Sequence, residues 1–181
     1  MKALLEAIVY YGAAAEGAAV LEAFSEATGY EVNAAYIESK YAALDLHKIV
    51  NEGADTTLGE LSPIISLYLN NTIRPCFQID GAAYIIVEFN GKLDYRYDSE
   101  NSYFIINCLY ATSLESAFRV KAYDENDEMI GQMKYSVATY ILGLLDEGSN
   151  ATDEQKTLAM ATAVYMNQAK LYNIAKMPKD N

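Results

Sequence analysis

The chain has 181 residues, 52% of them hydrophobic and 21% charged, which suits one globular module with a real core rather than a disordered chain. A formal net charge of −12 gives a surface that repels phosphate backbones and anionic lipid headgroups, so neither a nucleic-acid partner nor membrane insertion is expected. No apolar run approaches the ~20 residues of a membrane helix, and Glu6 and Glu16 interrupt the apolar stretch that follows Lys2, so no signal peptide is visible.

If the native protein is secreted, this chain has been cut from a longer one. Sixteen Tyr and no Trp is an uneven aromatic choice, and Tyr, with an apolar ring and a polar tip, suits half-buried surfaces.

A first helix is predicted over 2–24. Leu5, Ile8, Gly12, Ala15, Ala19 and Ala23 recur at three- and four-residue steps and define one apolar face, small in its middle, where another backbone can come close. Gly17 weakens that helix, and Thr28-Gly29 ends the segment. Residues 34–50 form a candidate helix with Tyr36, Tyr41, Leu44 and Ile49 as its apolar residues. Gly53 to Asp55 read as a loop.

From Pro63 the texture changes to strands. Ile64 to Leu69 is a compact apolar run before a turn at Asn70-Asn71, and Thr72 to Ile79 follows. Pro75 cannot donate to a ladder, which predicts an edge strand or a bulge there. Asp80-Gly81 marks a turn, Tyr84 to Phe89 a strand, and Asn90-Gly91 a tight hairpin leading into 92–97. Tyr103 to Ile106 is another strand, and 118–123 with 129–133 form a hairpin around the acidic 124–128 turn.

Helix then returns. Ser136 can cap 137–146, where Val137, Tyr140, Ile141 and Leu144 line one face and Gly148 closes the end. Thr152 with Gln155 is a capping box opening the last helix, with Leu158, Ala161, Tyr165, Ala169 and Tyr172 as its stripe. Short turns between strands favour a sandwich over a βαβ sheet. The expected fold is therefore α+β: a small antiparallel β-sandwich with N- and C-terminal helices packed together beside it. One module spans 1–181, helical over 1–60 and 136–175 and β over 61–135. Helix 2–24 should contact helix 152–173, and Gly12→Leu should overpack that contact.

Chemistry-bearing motifs are sparse. His47 is the only histidine, beside Asp45 and Lys48, so a two-His metal site is excluded. No Gly-rich phosphate loop is present. Among 25 acidic residues some pair stands at glycosidase spacing by chance, so no acid–base pair can be nominated. Asp124, Asn126 and Glu128 alternate as a calcium loop begins, yet Met129 stands where such a loop needs Gly and no closing Glu follows, so a solvated turn is the reading.

Cys76 and Cys108 lie in separate predicted strands. Buried free thiols are the plain reading, and spacing alone does not decide a disulfide. No catalytic residue, metal ligand or cofactor is assigned. The candidate ligand-binding residues are Tyr95, Tyr97 and Tyr103 with Asp94 and Arg96, where aromatic faces and polar groups could meet sugar hydroxyls. The alternative is that these tyrosines cover a sheet face.

Four segments, in order, resemble one family. Tyr10-Tyr11-Gly12-Ala13-Ala14-Ala15-Glu16 is similar to a Tyr-Gly-Ala-Ala-Ala-Gln signature, with Glu16 in place of Gln. Ile73-Arg74-Pro75-Cys76-Phe77 is similar to its Ile-Arg-x-x-Phe strand pattern. Ser136 to Ile141 and Tyr165 to Tyr172 resemble the opening of its penultimate helix and the ending of its last. The family is a module type of large extracellular proteins of gut Firmicutes. The resemblance implies a cell-surface or secreted setting and a non-catalytic accessory role in adhesion, spacing or protein interaction beside other modules, with a surface glycan or protein as the partner. Carbohydrate binding is the alternative, and a glycan-active hydrolase the next.

Overall fold

In the computed structural model, residues 2–16, 22–23, 25–27, 29, 33–44, 61, 63–69, 73–89, 93–99, 103–107 and 116–176 are described. Four helices and seven strands fall within them: α1 (Lys2–Glu16), α2 (Ala34–Ala42), β1 (Ile64–Leu69), β2 (Ile73–Gln78), β3 (Tyr84–Phe89), β4 (Leu93–Asp98), β5 (Phe104–Ile105), β6 (Phe118–Tyr123), β7 (Met129–Tyr135), α3 (Val137–Leu145) and α4 (Asp153–Lys176). The chain is α+β, with helices at both ends and two antiparallel sheets between them. It divides into two compact units. One draws on the two ends of the chain, up to His47 and from Ile141 onward; the other holds most of residues 48–140.

In the helical unit, α1 and α2 both pack on α4. The expected pairing of the first and last helices is present, but on a different face of α1. Leu5 is 57% exposed and Ile8 43%, and Gly12 and Ala15 are also exposed. The buried face carries Ala7, Tyr10, Tyr11, Ala13 and Ala14. Tyr10 meets Tyr36 of α2 edge-on at 5.2 Å between ring centroids, and Tyr11 stacks on Tyr165 of α4 at 5.5 Å.

The physical reason is area. Two tyrosine rings bury more apolar surface than Leu5 and Ile8 would, and the small residues beside them let the helices close around the rings. A Cβ on Gly12 would meet nothing within 4 Å, so the expected overpacking by Gly12→Leu is corrected. Ala19 and Gly17 lie outside the described residues.

Two further helix readings change. α2 ends at Ala42 rather than running on from Ala34 to Val50, and its buried residue is Ile37; Ile49 lies outside the described residues. Asn33 caps its start, its Oδ1 accepting from the Tyr36 amide at 2.8 Å. Gly148 does not close α3 in the left-handed form. Instead the Asp146 carboxylate accepts from the Gly148 amide at 2.8 Å.

Three other termini are as read. Ser136 Oγ accepts from the Thr139 amide at 3.1 Å. Thr152 and Gln155 make the reciprocal capping box, at 2.8 and 3.2 Å. Gly29 takes φ +68° and donates to the Ser25 carbonyl at 2.9 Å, a left-handed helix stop.

In the β unit the sheets run β1-β2-β5 and β4-β3-β6-β7, every pair antiparallel. Alternation decides which side chains go inside. Phe118, Val120 and Ala122 of β6 and Gly131, Met133 and Tyr135 of β7 are buried, while Arg119, Met129 and Gln132 are exposed. Facing them from the smaller sheet, Phe77 meets Phe118 at 6.1 Å and Tyr135 at 5.9 Å, both edge-on. Ile85, Val87, Phe104 and Ile106 complete this shared core.

Pro75 lies in the middle strand of its sheet, which corrects the edge-strand expectation. Its carbonyl accepts from the Ile106 amide at 2.9 Å, so its missing N–H falls on the side facing β5, just where that two-residue ladder ends. The pairing of Leu67 with Pro75 toward β1 then needs no proton from the ring nitrogen.

Asp80-Gly81 turns with Gly81 at φ +78°, a conformation in which glycine avoids Cβ strain. The Asn70-Asn71 and Asn90-Gly91 turns lie outside the described residues, though the strands either side pair as those turns imply.

Candidate functional site

β4 is the outer strand of the larger sheet and β5 the outer strand of the smaller one. Where they come together the sandwich is open, and polar side chains border a recess of about 380 Å³. Arg74 reaches it from β2, Arg96, Tyr97 and Asp98 from β4 with Ser99 just after, Ile105 from β5 and Asn107 just beyond.

The groups are tied to one another. Arg74 Nη1 donates to Asn107 Oδ1 at 3.3 Å, and the Asn107 amide donates to the Tyr97 hydroxyl at 3.3 Å. Arg96 Nε donates to Asp98 Oδ1 at 3.0 Å, two residues along the same strand face. That pair is largely exposed, so its worth is small and salt-sensitive.

The Arg96 guanidinium also lies 3.7 Å from the centroid of the Tyr84 ring, a cation–π contact that holds the side chain against the sheet. Tyr84 in turn stacks on Tyr123 at 5.0 Å, nearly parallel, and donates its hydroxyl proton to Asp127 at 2.9 Å. Burial, and then the bond to Asp127, push the Tyr84 phenol above its ordinary value.

The five residues expected to bind ligand separate. Arg96 lines the recess with its head exposed. Tyr97 is half-buried and packs against the sandwich core, so it does not stand on an exposed aromatic face; it borders the recess, and its hydroxyl accepts from the Asn107 amide. Tyr103 is 43% exposed but does not line the recess. Asp94 and Tyr95 are placed as strand positions opposite Glu88 and Val87, and their side chains lie outside the description.

Arg74 and Asn107 were missed. One signal was available: the chain has three arginines, and two of them, Arg74 and Arg96, border this one recess.

The acidic turn is a structural device. Asp124 Oδ1 accepts from the Asn126 amide at 2.8 Å and the Glu128 amide at 2.9 Å, while Asp127 sits at φ +64°. The Glu128 amide, with that of Asn126 next, holds the Asp124 carboxyl below its usual range. No cluster of three potential metal ligands occurs among the described residues.

Cys76 is a buried thiol; Cys108, and with it any pairing of the two, lies outside the described residues, as does His47. In the helical unit a second hollow, about 190 Å³, is bordered by Glu22, Asn33, Asp153, Glu154 and small residues. Asp153 and Glu154 belong to the first turn of α4, where the helix dipole favours carboxylates, and the Asn33 side chain is engaged in capping α2.

No helix among the described residues is long and apolar enough to cross a membrane. No protein-family model matches the chain, and no curated protein or solved structure does.

Proposed function

We propose that the chain is a non-catalytic accessory module of a cell-surface or secreted bacterial protein, serving adhesion, spacing or protein interaction beside other modules. Its contact with a partner is the recess at the sandwich edge. The observation that carries this reading is the recess's make-up. Donors dominate it, and its one carboxylate among the described residues, Asp98, is held by Arg96. A recess bordered by guanidinium, amide and phenol groups supports binding. The order of segments similar to modules of large extracellular proteins of gut Firmicutes supports the setting.

Carbohydrate binding is a second reading, favoured by the polar, open form of the recess and by the aromatic support under Arg96. The test is an array of plant and mucosal glycans and surface proteins, probed with the wild-type chain and with Arg96→Ala. A signal that falls in the variant supports the recess as the contact. A signal equal in both moves the contact elsewhere, and turnover of an arrayed glycan would sink the non-catalytic reading.

A further inference from the structure

We infer that the recess at the β4–β5 edge is a subsite for a carboxylate borne on a compact saccharide, such as a uronic or sialic acid. The inference rests on the proposed use of the recess as the contact and adds the class of ligand. Charge is the first argument. The chain carries a net −12, yet two of the groups bordering the recess are the guanidiniums of Arg74 and Arg96. Guanidinium groups on an otherwise acidic chain attract a small anion while the rest of the surface repels large polyanions.

Identity is the second argument. Two of the chain's three arginines border the recess, and none of its lysines is among the lining residues described. A guanidinium offers a planar fork that matches a carboxylate with two parallel bonds, which an ammonium does not. Arg96 is held for that use. Its guanidinium carbon lies 3.7 Å from the Tyr84 ring centroid and its Nε bonds to Asp98, while its 58% exposure keeps the head in reach of solvent.

Size and lining are the third. At about 380 Å³ the space is near the small end of ligand pockets, so the occupant is compact. Ser99, Asn107 and the Tyr97 hydroxyl supply both donors and acceptors, which a sugar's hydroxyls use and a bare carboxylate does not.

The test is an amide-resolved NMR titration of the full ¹⁵N-labelled chain with galacturonic acid, N-acetylneuraminic acid, the methyl ester of galacturonic acid, galactose and acetate. The sugar acids should shift the amides of Arg74, Arg96 to Ser99 and Asn107. The ester, galactose and acetate should each bind at least about tenfold more weakly. Arg96→Gln should weaken the sugar acids about tenfold or more with the remaining spectrum unchanged, and Arg96→Lys should recover only part of the loss. Raising salt should weaken the acids and leave galactose unaffected.

Shifts at the recess with no preference for the acids would overturn the acid inference and leave the recess as the contact. Acetate matching the sugar acids would overturn the saccharide. Shifts elsewhere, unchanged in Arg96→Gln, would overturn the inference and the proposed contact together. Silence from all five probes would overturn the inference, and the array would then judge the contact by itself.

Discussion

Gly131 of β7 is where the sandwich has least room. It is buried, paired with Ala122 of β6, and a Cβ built there would lie 2.6 Å from Leu61 Cδ2 and 2.9 Å from Leu61 Cγ. Leu61 is itself buried in the core, 6% exposed, so it cannot swing out to solvent without giving up its own burial. Gly131→Ala should therefore destabilise the β unit by about 1–3 kcal/mol through overpacking, outweighing the gain of up to ~1 kcal/mol expected from replacing a strand glycine. Leu61→Ala should cost about 2–5 kcal/mol as a cavity. The double variant decides the mechanism. With the Leu61 branch removed, the methyl introduced by Gly131→Ala enters the space it left, so that substitution should then be neutral or mildly stabilising. The coupling between the sites should exceed ~1 kcal/mol. Urea unfolding followed by tyrosine fluorescence would measure all four species. Additive effects within about 0.5 kcal/mol would refute the collision, because Gly131 would then be required for its backbone and not for its space.

Gly12 is the opposite case: open space surrounds its Cβ position on α1, so Gly12→Ala should raise the stability of the helical unit by about 0.5–1 kcal/mol, read as a higher Tm. Asp124 is held below the usual carboxylate range by the Glu128 and Asn126 amides. The stability it contributes is present above about 3.8, its ordinary value, and is lost as pH falls through the lower folded value; hydrogen exchange at those two amides should speed up there in the wild type, and Asp124→Asn should remove that acid step. The Tyr11 phenol is pushed up to about 12 by burial and by Tyr165 beside it. A raised folded value gives stability that is full below about 10 and drains as pH rises toward 12, up to about 2–3 kcal/mol, so the wild type should lose more stability over that window than Tyr11→Phe.

The parts of the fold legible in the sequence were those set by local chemistry. Strands bounded by turn residues, the Thr152–Gln155 box, the Ser136 cap and the Gly29 stop all depend on groups within three or four residues of each other. Where competition between distant partners decides, the pattern was ambiguous. α1 is apolar on more than one face, and periodicity alone weighted Leu5 and Ile8 above the tyrosines. The contacts with Tyr36 and Tyr165, far along the chain, select the other face. Pro75 shows the same limit in a sheet. Its rule concerns which neighbour needs the N–H, and that depends on where β5 stops.

The candidate site divides along the same line. The sequence sets Tyr95, Tyr97 and Tyr103 near Asp94 and Arg96, but a strand sends adjacent residues to opposite faces. Tyr97 is paired with Ile85, a fully buried residue, and so points to the core, whereas Arg96 is paired with Ile86 and lies over Tyr84 on the other side. The partners that make a recess with Arg96 and Tyr97 are Arg74 of β2, Ile105 of β5 and Asn107 two residues beyond it, brought there by the pairing of a second sheet. No spacing rule within one strand encodes that meeting. What does survive in the sequence is scarcity: the chain has three arginines, and two of them border one recess. The Tyr84–Tyr123 stack gives the same argument a structural form. An exposed arginine is entropically expensive to hold still, and the ring contact beneath Arg96 reduces the freedom it would have left to lose on binding the proposed sugar acid.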